Sequence, residues 1–252
     1  MDKKRSFPLI LLTILFIFSL SVFYPRTVWS YPGAIYDHPV KDKVVAITFD
    51  DGPMPVYTTQ ILDILDHYQA KATFFMIGER MKEYPGIVKE VSEHGHVIAN
   101  HTFTHPANLR TLDDRQVQWE LKAASDVSES LTGQRVYLFR PPRGIMDKRL
   151  MQTVREAGYE VIMWSICADN KAAPTPELMA KRVSDQIRPG QIILLHDGRV
   201  PERKMDVEAT RLILADLSEK GYRFVSVPEL IDLATMPKPP TVSHKSRWPF
   251  RF

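Results

Sequence analysis

Two neighbouring carboxylates, a pair of histidines four residues apart and a lone histidine far downstream are the side chains of this sequence best suited to chemistry. Asp50 and Asp51 close an apolar, β-branched run over residues 44–50 and are followed at once by Gly52 and Pro53. Neighbours on a strand face opposite ways, so both acids serve one site only where the strand stops. The Gly-Pro pair supplies that stop, although the same four residues also read as an ordinary polar turn after a core strand. His101 and His105 are spaced so that, on a helical turn, both rings face one side, as in zinc-binding pairs. Two neutral imidazoles and a carboxylate hold a metal and leave a position for water. Asp51 is the expected third ligand. A metal there acidifies water and polarises a carbonyl, and Asp50, not needed as a ligand, is placed to take the proton. His196 ends another apolar run, 192–196, and suits a general acid that protonates a leaving group. Capping a strand end is its structural alternative. His38, His67, His94, His96 and His244 read as surface or core groups.

The elements that must position these groups alternate. Strand-like runs span residues 44–50, 72–77, 96–100, 137–140, 160–166, 191–196 and 223–227. Amphipathic stretches at 58–68, 87–94, 114–131, 148–157, 176–187 and 207–220 lie between them, several followed by a glycine stop such as Gly95, Gly133, Gly158 or Gly221. Such alternation means βαβ units and a parallel sheet, either closed as a barrel or open and doubly wound. The Asp pair, the His pair, Arg140, Trp164 and His196 all fall at the C-terminal ends of separate strands. Barrel enzymes assemble their sites on that face.

Residues 1–30 open with Lys3, Lys4 and Arg5 and continue in an uncharged apolar run, the pattern of a secretory signal or, uncleaved, an N-terminal membrane anchor. The domain, residues 31–235, is therefore expected outside the cell, secreted or tethered to the outer face of a bacterial cytoplasmic membrane. Removing residues 1–30 takes away four basic side chains and one acidic one, leaving 29 of each. That balance gives no basic surface for nucleic acid. A single cysteine, Cys167, excludes an internal disulfide framework. Residues 236–252, rich in Pro, Lys and Arg, read as a disordered tail.

Four ordered motifs carry a resemblance. Thr48-Phe49-Asp50-Asp51-Gly52, His101-Thr102-Phe103-Thr104-His105, Arg140-Pro141-Pro142-Arg143-Gly144 and Leu194-Leu195-His196 resemble those of the polysaccharide deacetylases, the NodB-homology or carbohydrate esterase family 4 enzymes. The resemblance runs from about residue 43 to 230 and implies one domain, a distorted (β/α)7 barrel that removes N-acetyl groups from amino sugars. It implies a divalent metal, Zn2+ before Co2+ or Mn2+, on Asp51, His101 and His105, with Asp50 as base and His196 as acid. It further implies that Arg140, beside Pro142, orients the base. The Arg143 backbone N–H would hold the oxyanion, Trp164 would join the substrate site, and Leu195, before the acid, would line the acetyl pocket. A cell-wall polysaccharide is the implied partner, met by a monomer.

The sequence departs from the family pattern twice. Arg143 stands where tyrosine is frequent, resembling a branch that acts on muramic residues. The fourth motif, usually Asp-x-x-Asp-Trp, reads Cys167-Ala168-Asp169-Asn170-Lys171, which leaves Asp169 to support His196. Three competing readings stay open. One is a chitooligosaccharide substrate, and another is a wall-glycan-binding domain with an impaired site. The third is a glycosidase using Asp50 and Asp51, disfavoured because its two carboxylates must flank a bond roughly 5–10 Å apart.

Overall fold

The computed structural model describes residues 30–169, 173–200 and 203–235. All but the last residue of the expected export segment, the basic tail and Asn170 lie outside them. The described residues from 33 onward form one compact unit.

Strand β1 (Val44–Asp50) is buried along its whole length and lies at the centre of the sheet. The other strands are β2 (Ala72–Met76), β3 (Val97–Asn100), β4 (Leu138–Phe139), β5 (Glu160–Val161), β6 (Ile166–Cys167), β7 (Ile192–His196) and β8 (Arg223–Val225). They pair in parallel in the order β5-β4-β3-β2-β1-β7-β6. β8 pairs with the first half of β1, at Val44–Ala46, and β2 takes over from Ile47.

The run expected as one strand over residues 160–166 is split into β5 and β6, which sit at opposite ends of that order. Because one continuous stretch of chain forms both edges, the sheet curls to bring them round. Ile35 extends the β5 edge, giving its N–H to Val161 O (2.9 Å) and accepting from Met163 N (2.7 Å). The result is the distorted barrel that the resemblance implies, one of the two forms the alternation allows.

The helices are α1 (Tyr57–His67), α2 (Gly78–Glu83), α3 (Pro85–Glu93), α4 (Asp114–Thr132), α5 (Lys148–Glu156), α6 (Pro176–Gln186), α7 (Lys204–Glu219) and α8 (Val227–Thr235). Their ends follow ordinary chemistry. Asp113 and Gln116 form a capping box at the start of α4, and Gly133 ends it in the left-handed conformation. Thr175 caps α6 ahead of Pro176. Helices α2 and α8 are additions to the sequence reading. The first is a six-residue helix too short to show a period, and the second begins where an apolar strand run was expected to end.

The period of two along β1 sorts its side chains. Val45, Ile47 and Phe49 pack outward against the helices, while Val44 and Ala46 join an inner cluster with Phe75, Ile192 and α8 residues Val227 and Leu230. That apolar cluster plugs the N-terminal end of the barrel. Thr48 and Asp50, next on the same inner face, carry the polar layer above it.

Candidate active site

Asp50 is the last residue of β1, and the chain leaves strand geometry at Asp51, whose φ is +76°. That turn brings two adjacent carboxylates to one site despite the strand rule. Asp197 lies beneath it, giving its N–H to Asp50 O (3.0 Å) and accepting the Thr58 hydroxyl (2.7 Å). A side chain at Gly52 would collide with the Asp197 carboxyl, so only glycine fits there. Complete burial pushes the Asp197 carboxyl up to about 7.

The two histidines converge, although not through a helical turn. The segment from His101 to His105 is a loop, with Thr102 (φ +70°) and His105 (φ +55°) in left-handed conformation. Asn100 shapes its entry, accepting Thr102 N–H (2.8 Å) while donating to Ser125 and Leu121 O of α4. Glu120 clamps its middle, accepting from Phe103 N (2.8 Å), Thr104 N (2.9 Å) and the Thr104 hydroxyl (2.6 Å). The sequence held a signal for Glu120: a carboxylate within the buried Val117–Leu121–Ala124 stripe of an amphipathic helix.

His101 Nδ1 donates to Arg140 O (2.8 Å), which leaves the Nε2 lone pair facing the site. His101 Nε2 is 3.5 Å and His105 Nε2 3.2 Å from Asp51 Oδ1. Two atoms bound at roughly 2.1 Å on a tetrahedral ion stand about 3.4 Å apart. The donor set of Asp51, His101 and His105 therefore fits a divalent cation. Burial opposes ionisation of Asp51, yet the adjoining imidazoles of His101 and His105 outweigh that and hold the carboxyl far below the usual range.

Asp50 borders that trio through one oxygen only, its Oδ2 lying 3.8 Å from His101 Nε2, while Arg140 holds the other. Arg140 Nη1 binds Asp50 Oδ1 at 2.7 Å and also Thr48 Oγ1 at 2.9 Å. The Arg140 Nε and Nη2 donate to Ile162 O (3.1 Å) and Met163 O (2.9 Å), and the group stacks 4.0 Å from the Phe75 ring centroid. A guanidinium buried this completely, at 0% exposure, is tolerable only because its donors are matched in this way. Pro142 is buried and starts the short turn that carries Arg143, itself at φ +58° with an exposed side chain. Gly144 (φ +66°) passes so close to Trp164 that a Cβ there would strike the indole.

His196 ends β7 beside Asp50, its register partner on β1. Its Nδ1 lies 3.1 Å from Asp169 Oδ2, without the alignment of a directed hydrogen bond. Burial opposes the imidazolium, but the Asp169 carboxylate outweighs it and raises the ring's pKa. Asp169 thus stands where the broken fourth motif leaves an acid to serve.

These groups surround a cavity of about 360 Å³ that is also lined by Arg143, Trp164, Cys167, Leu194, Arg199 and Arg203. Leu195 is not among them. It points outward into the sheet–helix core at 0% exposure, and Leu194, on the same face as His196, takes its place. Arg203, although it lines the cavity, is committed to carboxylates of the chain itself. Burial drives the Cys167 thiol far above its usual range, and its Sγ sits 3.0 Å from Asp169 O, so it is no nucleophile. The arrangement also speaks against glycosidase chemistry, because Asp50 and Asp51 face Arg140 and the imidazoles instead of flanking a bond.

Residues 37–162 match the sequence model of a family described as polysaccharide deacetylase. A peptidoglycan-N-acetylglucosamine deacetylase of Bacillus cereus is 40% identical over 206 residues, covering 78% of this chain and 92% of that protein. A chitooligosaccharide deacetylase of Azorhizobium caulinodans is 35% identical over 195 residues, covering 73% and 92%. Among solved structures, that of a peptidoglycan N-acetylglucosamine deacetylase superposes with a TM-score of 0.76 at 29% identity, covering 80% of this chain and 97% of that one.

Proposed function

Because the chain belongs to the polysaccharide deacetylase family, we propose that it hydrolyses the N-acetyl amide of amino sugars in extracellular peptidoglycan. The sugar is N-acetylglucosamine or N-acetylmuramic acid. The observation that carries this reading is the division of labour between adjacent carboxylates: Asp51 faces two imidazoles and Asp50 faces a buried arginine.

Asp51, His101 and His105 would hold a divalent cation, zinc in our reading, given the tetrahedral spacing of their donor atoms. When bound, that cation polarises the amide carbonyl and acidifies water. Asp50, oriented by Arg140, takes the proton of the attacking water. The backbone N–H of Arg143 faces the oxygen on which charge develops. His196, protonated with the help of Asp169, delivers a proton to the departing amine. Leu194 and Trp164 line the wall that receives the acetyl group. The chain works as a monomer, exported through residues 1–30 either as a secreted protein or on a membrane tether. Among the described residues no helix is long and apolar enough to cross a membrane.

A second reading, a chitooligosaccharide substrate, is favoured by the Azorhizobium relative. Incubation of the purified protein with peptidoglycan and with N-acetylglucosamine oligomers separates the readings. Free acetate without new reducing ends, abolished by a chelator and restored by zinc, is the expected result on peptidoglycan. Reducing ends without acetate would overturn it.

A further inference from the structure

Asp169, His196 and Asp206 offer ligand atoms within 4.8 Å of one another, a second grouping with the spacing of a cation site. The cation already there is the Arg203 guanidinium. Its Nη1 lies 3.0 Å from Asp169 Oδ2 and 3.3 Å from Asp206 Oδ2, and its Nε donates to Gly198 O at 3.1 Å. Asp206, third residue of α7 and 2% exposed, uses its other oxygen to accept the backbone N–H of His196 at 3.0 Å. One guanidinium therefore grips the carboxylate beside the imidazole and the carboxylate that holds the same residue's backbone.

We infer that Arg203 and Asp206 are positioning residues for the general acid, holding Asp169, the one carboxylate of the altered 167–171 motif, and the backbone of His196. Asp206 fixes where β7 ends, and Arg203 fixes Asp169 against His196 Nδ1. Neither touches the scissile bond. The inference rests on the deacetylase reading, in which His196 must protonate an amine before it can leave. An activated aryl acetate makes no such demand, since its phenolate departs unprotonated.

The test is the ratio of two rates in one protein: acetate released from an N-acetylglucosamine oligomer and phenolate released from 4-nitrophenyl acetate. Arg203→Gln should lower amide turnover about 10–100-fold and change ester turnover less than about threefold. KM and bound zinc should stay at the wild-type level. Asp206→Asn should move the ratio the same way but less. Arg203→Lys keeps the charge but not the fork, and should fall between wild type and Arg203→Gln. If Arg203→Gln does not fold, the lysine variant decides alone. An unchanged ratio, or equal loss on both substrates, would mean a merely structural arginine and overturn the inference. Loss of zinc would likewise overturn it, by showing that Arg203 acts through Asp51, whose Oδ2 is 3.8 Å from its Nη2. A wild-type protein that releases no acetate from amino sugars would instead refute the deacetylase reading itself.

Discussion

In the proposed mechanism the half of the site around the base Asp50 and the half around the acid His196 are each organised by one arginine, but in different surroundings. Arg140 is fully buried inside the barrel, and its partners Thr48, Asp50, Ile162 and Met163 belong to β1 or to the chain around β5. Arg203 is 15% exposed and stands just before α7, and its partner Asp169 is 28% exposed on the loop after β6. The base is thus set by the sheet itself. The acid is held from the rim by the start of a helix. A low-dielectric, closed setting makes each contact on the base side stronger and each loss costlier, so the two halves should respond unequally to equivalent substitutions.

The largest effect should come from Arg140→Gln. It leaves the Asp50 carboxylate buried without its partner, and breaking a buried pair costs roughly 3–5 kcal/mol. Denaturant titration should record a loss of that order, together with loss of nearly all acetate release. A variant as stable as wild type would show that the base half is not the tighter one.

Asp169→Asn should be milder, affecting rate more than folding. Removing the carboxylate that favours the imidazolium lowers the pKa of His196. The alkaline limb of the kcat/KM profile should then move to lower pH, with the acid limb unmoved. A profile that does not shift would leave His196 without a carboxylate partner.

The smallest effect on catalysis should come from His96, at the opposite end of the barrel from the catalytic residues, where β3 begins. Burial and the nearby Lys71 ammonium pull its pKa down to about 4. A ring that is harder to protonate folded than unfolded contributes stability at pH above about 6.5 and loses it progressively as pH falls to about 4. That difference corresponds to roughly 3 kcal/mol. Ala72 N–H points at His96 Nδ1 (3.3 Å), and His96→Asn retains an acceptor there. It should flatten the fall of Tm between pH 6.5 and 4 and leave neutral-pH activity unchanged; an equally steep fall would assign acid sensitivity elsewhere.

The contrast between the halves also explains what could be read from the sequence. Asp50, Asp51, Arg140 and His196 all sit at strand ends, so alternation of elements and short motifs were enough to place them together. Glycines at special conformations, such as Gly144 against Trp164, were fixed by the same motifs. The split of residues 160–166 into two strands was hidden because barrel closure depends on which edges meet, a property of the whole sheet. The expected helical turn at His101–His105 gave way to a loop because Asn100 and Glu120 bind its backbone from a distant helix. Leu195 was assigned to the cavity by adjacency to His196, whereas the period of two gives that face to Leu194. Arg203 and Asp206 lie outside every motif, and only the packing of α7 on the end of β7 brings them to His196.

In the proposed mechanism two adjacent aspartates do different work. Zinc content and acetate release, measured side by side on Asp50→Asn and Asp51→Asn, separate their roles. Asp51→Asn should lose zinc and activity together. Asp50→Asn should keep zinc near one equivalent and lose activity about 100-fold or more. Zinc lost equally from both variants, or an active Asp50→Asn, would contradict the account.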